Sequence, residues 1–195
     1  MKIPLNIKIL IDWIKYFLFY IWRKPTMFEQ KPYNHTSSNY KQIIDWQTRQ
    51  KKELGIMGNQ QSTTTGKIDI EKARKIHKWV RNNIRYVSDQ SQYGKADYWE
   101  TAKEVLNKNQ TDCEGLSILR WKMLRDAGFP EDKIGIALTK NHAFCVILDT
   151  EDDFRVLDNG YLSHIIIRAS KLFPTKNSIP LLGFNLFDIW SYQKE

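Results

Sequence analysis

The chain has 195 residues, 42% of them hydrophobic and 27% charged, and carries a formal net charge of +8. This balance excludes an intrinsically disordered chain and leaves room for one domain of about 100–200 residues with an appendage. Cys113 and Cys145 are its cysteines, and two without a CxxC pair exclude a disulfide framework and a structural zinc site.

The basic excess lies mainly in the first half, in clusters such as Arg49-Gln50-Lys51-Lys52 and Lys72-Ala73-Arg74-Lys75. Such charge can attract nucleic acid or an anionic membrane. No zinc-finger or RNA-recognition signature accompanies it, so it reads as a solvated basic face, and nucleic acid is not expected as a partner.

Residues 3–22 are the most apolar segment and are about as long as a bilayer span. Lys8, Asp12 and Lys15 interrupt it, all within a sector of roughly 60° of a helix. A narrow charged stripe among aromatics suits an interfacial membrane helix. It equally suits a helix docked on a partner, on a larger assembly or on its own domain, and a single-span anchor or unusual export signal is a third reading. Residues 25–66 are polar and irregular, with a short helix expected over Tyr40–Leu54 and an exposed linker from Gly55 to Gly66. The expected division is an apolar helix over 1–24, a polar linker over 25–66 and a folded domain over 67–195.

Asp69 should cap a helix running to Asn83, with Ile70, Ala73, Ile76, His77, Val80 and Ile84 facing inward. His77 there reads as structural. After an extended Ile84–Val87 and a polar loop, a short helix is expected over Glu100–Leu106. The next helix starts at Thr111-Asp112-Cys113-Glu114-Gly115, with Thr111 or Asp112 as N-cap. Leu116, Leu119, Met123 and Leu124 make its buried face, and Gly128 and Pro130 end it. Cys113 thus sits in the first turn, where the dipole and free N–H groups favour a thiolate. A bridge from Cys113 to Cys145 would consume that thiol.

The apolar period then changes to two, giving strands over Lys133–Leu138, His142–Leu148 and Phe154–Leu157, and a further one over Ser163–Ile167. Alternation puts His142, Phe144, Val146 and Leu148 on one face with Cys145 on the other, and groups Phe154, Val156 and Asp158. If the second and third strands form a hairpin, His142 and Asp158 meet at one end of it and can point towards a helix on that face. Cysteine, histidine and aspartate then supply a nucleophile, a base and an orienter.

The stretches Asp97–Leu106, Thr111–Ser117 and Leu124–Pro130, followed by Asn141-His142-Ala143 and Val156-Leu157-Asp158-Asn159, resemble the transglutaminase-like superfamily. Within it they are most similar to the bacterial transglutaminase-like cysteine peptidases. The resemblance covers roughly residues 68–165. It implies an α+β, papain-like fold with the nucleophile helix packed on an antiparallel sheet. It also implies a catalytic triad of Cys113, His142 and Asp158 acting on protein or peptide amide bonds through a thioester. The backbone N–H of Cys113 would serve the oxyanion hole, with Trp99 or Tyr98 as the second donor.

Relatives often read Gly-Asp-Cys-Glu-Asp where this chain has Thr111 and Gly115 at the ends. Some bind calcium through acidic residues beside the cysteine. Asp112 and Glu114 are kept, position 115 is not acidic, and both carboxylates also suit helix capping. No metal or cofactor is therefore assigned. Water or an amine could resolve the thioester, giving a peptidase or an acyl transferase. The competing reading is a structural or interaction protein of a membrane or virion assembly that keeps the fold. Richness in Lys, Asn and Ile points to an AT-rich genome, such as that of a small bacterium or its phage.

Overall fold

The computed structural model describes residues 38–56, 66–139, 141–148, 154–160, 165–172 and 182–191. The apolar helix expected over 1–24 lies outside these residues, as does most of the expected linker from 57 to 65. Among the described residues, no helix is long and apolar enough to cross a membrane.

The first helix, α1 (Ser38–Glu53), matches the short helix expected over Tyr40–Leu54, within the region 25–66 that was assigned as polar linker. It is nevertheless part of the core: Ile43 and Trp46 are fully buried, and Gln47 and Gln50 are buried with them. The two amides hide their polarity by bonding. Gln50 Oε1 accepts from the N–H of Ala102 at 2.9 Å, and Gln47 Nε2 donates to the Asn185 carbonyl at 2.8 Å. A buried stripe half made of glutamine reads as polar in the sequence, which is why this helix was expected outside the folded domain.

Helix α2 (Ile70–Asn83) is capped by Asp69, which accepts from the Lys72 N–H at 3.0 Å. It buries Ala73, Ile76, His77 and Val80, close to expectation. Strand β1 (Arg85–Tyr86) pairs in parallel with β2 (Gln110–Thr111), placing Tyr86 opposite Thr111. Between them lie α3 (Asp89–Tyr93) and α4 (Ala102–Lys108). A reciprocal pair of bonds between Thr101 and Glu104 starts α4, satisfying two orphan N–H groups.

Helix α5 (Cys113–Asp126) is the centre of the molecule. Asp112 caps it, its Oδ1 accepting from the N–H groups of Glu114 and Gly115 at 3.1 and 3.3 Å. At the far end Gly128 adopts φ +87°, and the Phe129 and Gly128 N–H groups bond back to the Leu124 and Arg125 carbonyls. That closure satisfies the last carbonyls and needs glycine's left-handed freedom. The expected one-sided stripe proves too narrow. Every residue from Gly115 to Trp121 is buried, because α2 and α4 pack on α5 as well as the sheet.

After a 3₁₀ turn (Glu131–Lys133) come β3 (Ile134–Leu138), β4 (Ala143–Ile147), β5 (Arg155–Leu157), β6 (Ile167–Arg168), the short α6 (Ala169–Leu172), β7 (Leu182–Phe184) and β8 (Ile189–Ser191). They form a six-stranded antiparallel sheet in the order β6-β5-β4-β3-β7-β8. The α+β architecture with the cysteine helix on an antiparallel sheet agrees with expectation. Of the strand expected over 163–167, residues 163 and 164 lie outside the described residues, and Ile165 and Ile166 precede β6, which begins at Ile167.

The face that receives α5 differs from expectation. Ala143, Cys145, Ile147 and Leu157 pack in one core with Leu116 and Leu119 of α5. Phe144, Val146, Phe154 and Val156 form a second cluster on the opposite face. Alternation sorted these residues correctly, but it cannot say which face a helix will choose. The main core also holds an aromatic group spanning four segments. Trp46 meets Trp121 and Phe184 edge-on at 5.5 and 5.4 Å, and Trp99 stacks on Phe184 at 5.3 Å.

Candidate active site

Cys113 stands at the first position of α5, half-buried, and its thiol is free. Cys145 is also free and fully buried, so the two form no bridge. His142 precedes β4 by one residue, and Asp158 follows β5 by one. Both therefore lie where the chain leaves the ladder, and strict alternation no longer ties their side chains to a face. His142 Nε2 meets Asp158 Oδ1 at 2.6 Å. The same oxygen accepts from the Asn159 N–H at 2.6 Å.

His142 and Cys113 line one cavity of about 310 Å³, together with Asn39, Asp97, Trp99, Asp112, Glu114 and Thr139. The expected triad residues thus converge on one region, with Nε2 of His142 occupied by Asp158. That leaves Nδ1 as the ring nitrogen available to a thiol. The cysteine itself turns elsewhere: Cys113 Sγ donates to Glu114 Oε2 at 2.9 Å.

Electrostatics divide the site. The hydrogen bond to Asp158 raises the pKa of His142, outweighing the opposing effect of burial. Burial opposes ionisation of Asp158, but the bond and charge of His142 and the N–H groups of Gly160 and Asn159 hold its carboxyl below the usual range. Burial pushes the Cys113 thiol up, and the charge and hydrogen bond of Glu114 push it further. The thiolate favoured by a helix start is thus overridden here. A dipole contributes about 0.3–1 kcal/mol, less than a carboxylate in direct contact with a buried thiol.

The acidic wall continues behind the cysteine. Asp89, Glu100 and Asp112 are buried and each bring one oxygen within 4.8 Å of the others. Burial raises the pKa of all three, and for Asp112 the charges of Glu114 and Asp89 add to it. Protein donors serve each of these carboxylates, although Asp89 Oδ1 is buried without one. Glu100 accepts from Gln92 and Tyr93 at 2.6 Å each and from Thr111, Asp112 from the two cap N–H groups, and Asp89 from the Tyr98 N–H. The cluster is a hydrogen-bonded network, and no metal is assigned to it.

Of the two expected second oxyanion donors, Trp99 lines the cavity. Tyr98 does not, because its hydroxyl donates to Glu104 at 2.9 Å. Two contributors escaped sequence reasoning. Asn39 comes from the start of α1, one residue before the expected helix. Glu114 was read as a cap, although it stands beside a cysteine at a helix start and could have been foreseen to compete for its proton.

A family model described as bacterial transglutaminase-like cysteine proteinase matches residues 32–169. Among solved structures, the chain is similar to Legionella pneumophila LapG in its calcium-bound form, with a TM-score of 0.52 and 21% identity over 76% of this chain and 87% of that one. A second LapG structure gives 0.53 at the same identity and coverage. An EGTA-treated one gives 0.53 and 21% over 76% of this chain and 84% of that one. No curated protein matches the sequence.

Proposed function

Because the chain belongs to the bacterial transglutaminase-like cysteine proteinases and is a cysteine peptidase with protein or peptide substrates, we propose that Cys113, His142 and Asp158 are its catalytic triad. The observation that carries this reading is the 2.6 Å bond between His142 and Asp158, made at a cavity that Cys113 also lines. In the first step the thiol turns from Glu114 to His142, whose Nδ1 takes the proton as Sγ attacks the substrate carbonyl carbon. The tetrahedral oxyanion is received by the N–H of Cys113. His142 then passes its proton to the leaving amine, the C–N bond breaks and a thioester remains. Water, deprotonated by His142, hydrolyses the thioester and frees Cys113. Asp158 holds the imidazole with Nδ1 turned to the cysteine and stabilises its charge.

The test uses an unfolded protein such as reduced casein, with new peptide ends read by mass spectrometry. Wild-type protein should generate them, and Cys113→Ala and His142→Ala should not. Cleavage that persists in Cys113→Ala would dismiss the triad. A primary amine added to the assay distinguishes the two ways of resolving the thioester, because an acyl transferase would incorporate it.

The apolar segment over residues 3–22 supports a second proposal, that it anchors the enzyme at a membrane surface or in a larger assembly. Liposome flotation of the full chain against one beginning at residue 31 tests it. Truncation must stop short of α1, since Ile43 and Trp46 belong to the core. Equal flotation would remove the membrane as the anchor's target.

A further inference from the structure

We infer that the buried Arg120 is a positioning residue that, through Asn159, fixes the turn presenting Asp158 to His142. The inference rests on the reading of His142 and Asp158 as base and orienter.

Arg120 is 1% exposed in the middle of α5. It lies seven residues after Cys113, which is two helical turns, so both side chains leave the helix on nearly the same side about 10 Å apart. Its guanidinium is spread over three neutral acceptors from three parts of the fold. Nε donates to His77 Nδ1 on α2 at 3.0 Å, Nη1 to the Leu116 carbonyl on α5 at 3.2 Å, and Nη2 to Asn159 Oδ1 after β5. A leucine or methionine would fill that volume without burying a charge. What an apolar side chain cannot do is hold three acceptors in one planar fork.

The third acceptor leads to the site. The Asn159 N–H donates to Asp158 Oδ1, the oxygen that also receives His142. The turn closes tightly over that carboxylate: a Cβ on Gly160 would come within 2.7 Å of Asp158 Oδ2. Fixing the Asn159 side chain therefore fixes the direction of Asp158, and with it the ring of His142. The anchor stands on the helix that carries Cys113, so nucleophile and base are held to a common reference. The charge adds to the geometry. Burial lowers the Arg120 pKa to about 10, while Cys145 on β4 and Asp158 on the turn favour its charged form. The groups facing Arg120 are thus His77, Cys145, Asp158 and Asn159, and those facing His142 are Asp158 and Glu114.

The experiment follows iodoacetamide alkylation of Cys113 in the full chain between pH 5 and 9, resolved from Cys145 by mass spectrometry of the labelled peptides. In wild type the rate should rise through an inflection above about 6.5, the ordinary imidazole value. Asn159→Ala and Arg120→Lys should move that inflection down towards about 6.5, so that labelling at pH 7 rises relative to the plateau above the inflection. Asn159→Asp, which still offers Arg120 an acceptor, should keep the inflection at or above the wild-type position. If Asn159→Ala melts like wild type and leaves the inflection in place while His142→Ala removes it, Arg120 is packing only. The inference then falls and the triad stands. If His142→Ala labels as wild type does at every pH, triad and inference fall together.

Discussion

The two walls of the cavity are built on opposite principles. On the sheet side, His142 and Asp158 support each other: the pair raises the pKa of one and lowers that of the other. On the helix side, Cys113 shares its proton with Glu114 and is backed by Asp112, Glu100 and Asp89, all shifted towards their neutral forms. On the proposed triad, the base is therefore ready for its role before substrate arrives, and the nucleophile is not. In such a site thiol deprotonation is the step that the enzyme must arrange, and it depends on where the Glu114 carboxylate points.

The largest effect should come from spoiling the prepared side. Asp158→Asn keeps the shape of the side chain but offers His142 an amide in place of a carboxylate, so the imidazole can settle with the wrong nitrogen protonated. Turnover should fall about 10³–10⁴-fold with a much smaller change in KM, since the loss falls on the transition state. Measured kcat and KM on a cleaved peptide would check it. A loss confined to KM would mean that Asp158 binds substrate and does not orient the base.

A smaller and opposite effect is expected on the unprepared side. Glu114→Gln removes the carboxylate charge and turns a bond that holds the thiol proton into a weaker one. Besides Glu114, Asp112 opposes the thiolate and the Ala143 N–H favours it. With the first-named neighbour neutral, the Cys113 pKa should drop by about one unit, and alkylation near pH 7.5 should quicken about tenfold. In wild type the rate should still be climbing at about pH 10, where an ordinary thiol with a pKa of about 8.5 has levelled off. Stopped alkylation at several pH values would show both. A slower Glu114→Gln variant would mean that the carboxylate helps to remove the thiol proton.

How much of this could be read from the sequence differs along the chain. Cys113, His142 and Asp158 were legible because each sits at an element end with its own signal: an N-cap, a change of period, the close of a strand. Strands β3, β4 and β5 were legible from alternation, whereas β7 and β8 were not expected. The face that α5 covers was not legible, because Ala143-Phe144-Cys145-Val146-Ile147 is apolar at every position and both faces bury it. Helix α1 was expected over Tyr40–Leu54, but the glutamines on its buried stripe concealed its place in the core. Contacts between distant segments, such as Arg120 with Asn159 or Thr111 with Glu100, leave no local pattern at all.

The smallest effect concerns that last contact and decides how rigid the helix side is. The resemblance implies glycine and an acidic side chain at the two ends of the Asp112-Cys113-Glu114 stretch, where this chain has Thr111 and Gly115. The space explains the glycine. Thr111 Oγ1 donates to Glu100 Oε2, and a Cβ on Gly115 would run into Thr111 Oγ1 and lie 2.6 Å from Glu100 Oε2. The buried Glu100 carboxylate thus occupies the room that a side chain at 115 would need. Gly115→Ala should be overpacked by about 1–3 kcal/mol, lowering Tm by roughly 2–4 °C per kcal/mol in a chain of this size. Thr111→Gly alone should cost less, and should recover part of the loss when combined with Gly115→Ala, because it clears one of the two obstructions. A double-mutant cycle read by thermal unfolding measures that coupling. Strictly additive losses would mean that Thr111 yields without resistance, and that the wall behind Cys113 is a pliant one in which Glu114 is free to swing and release the thiol.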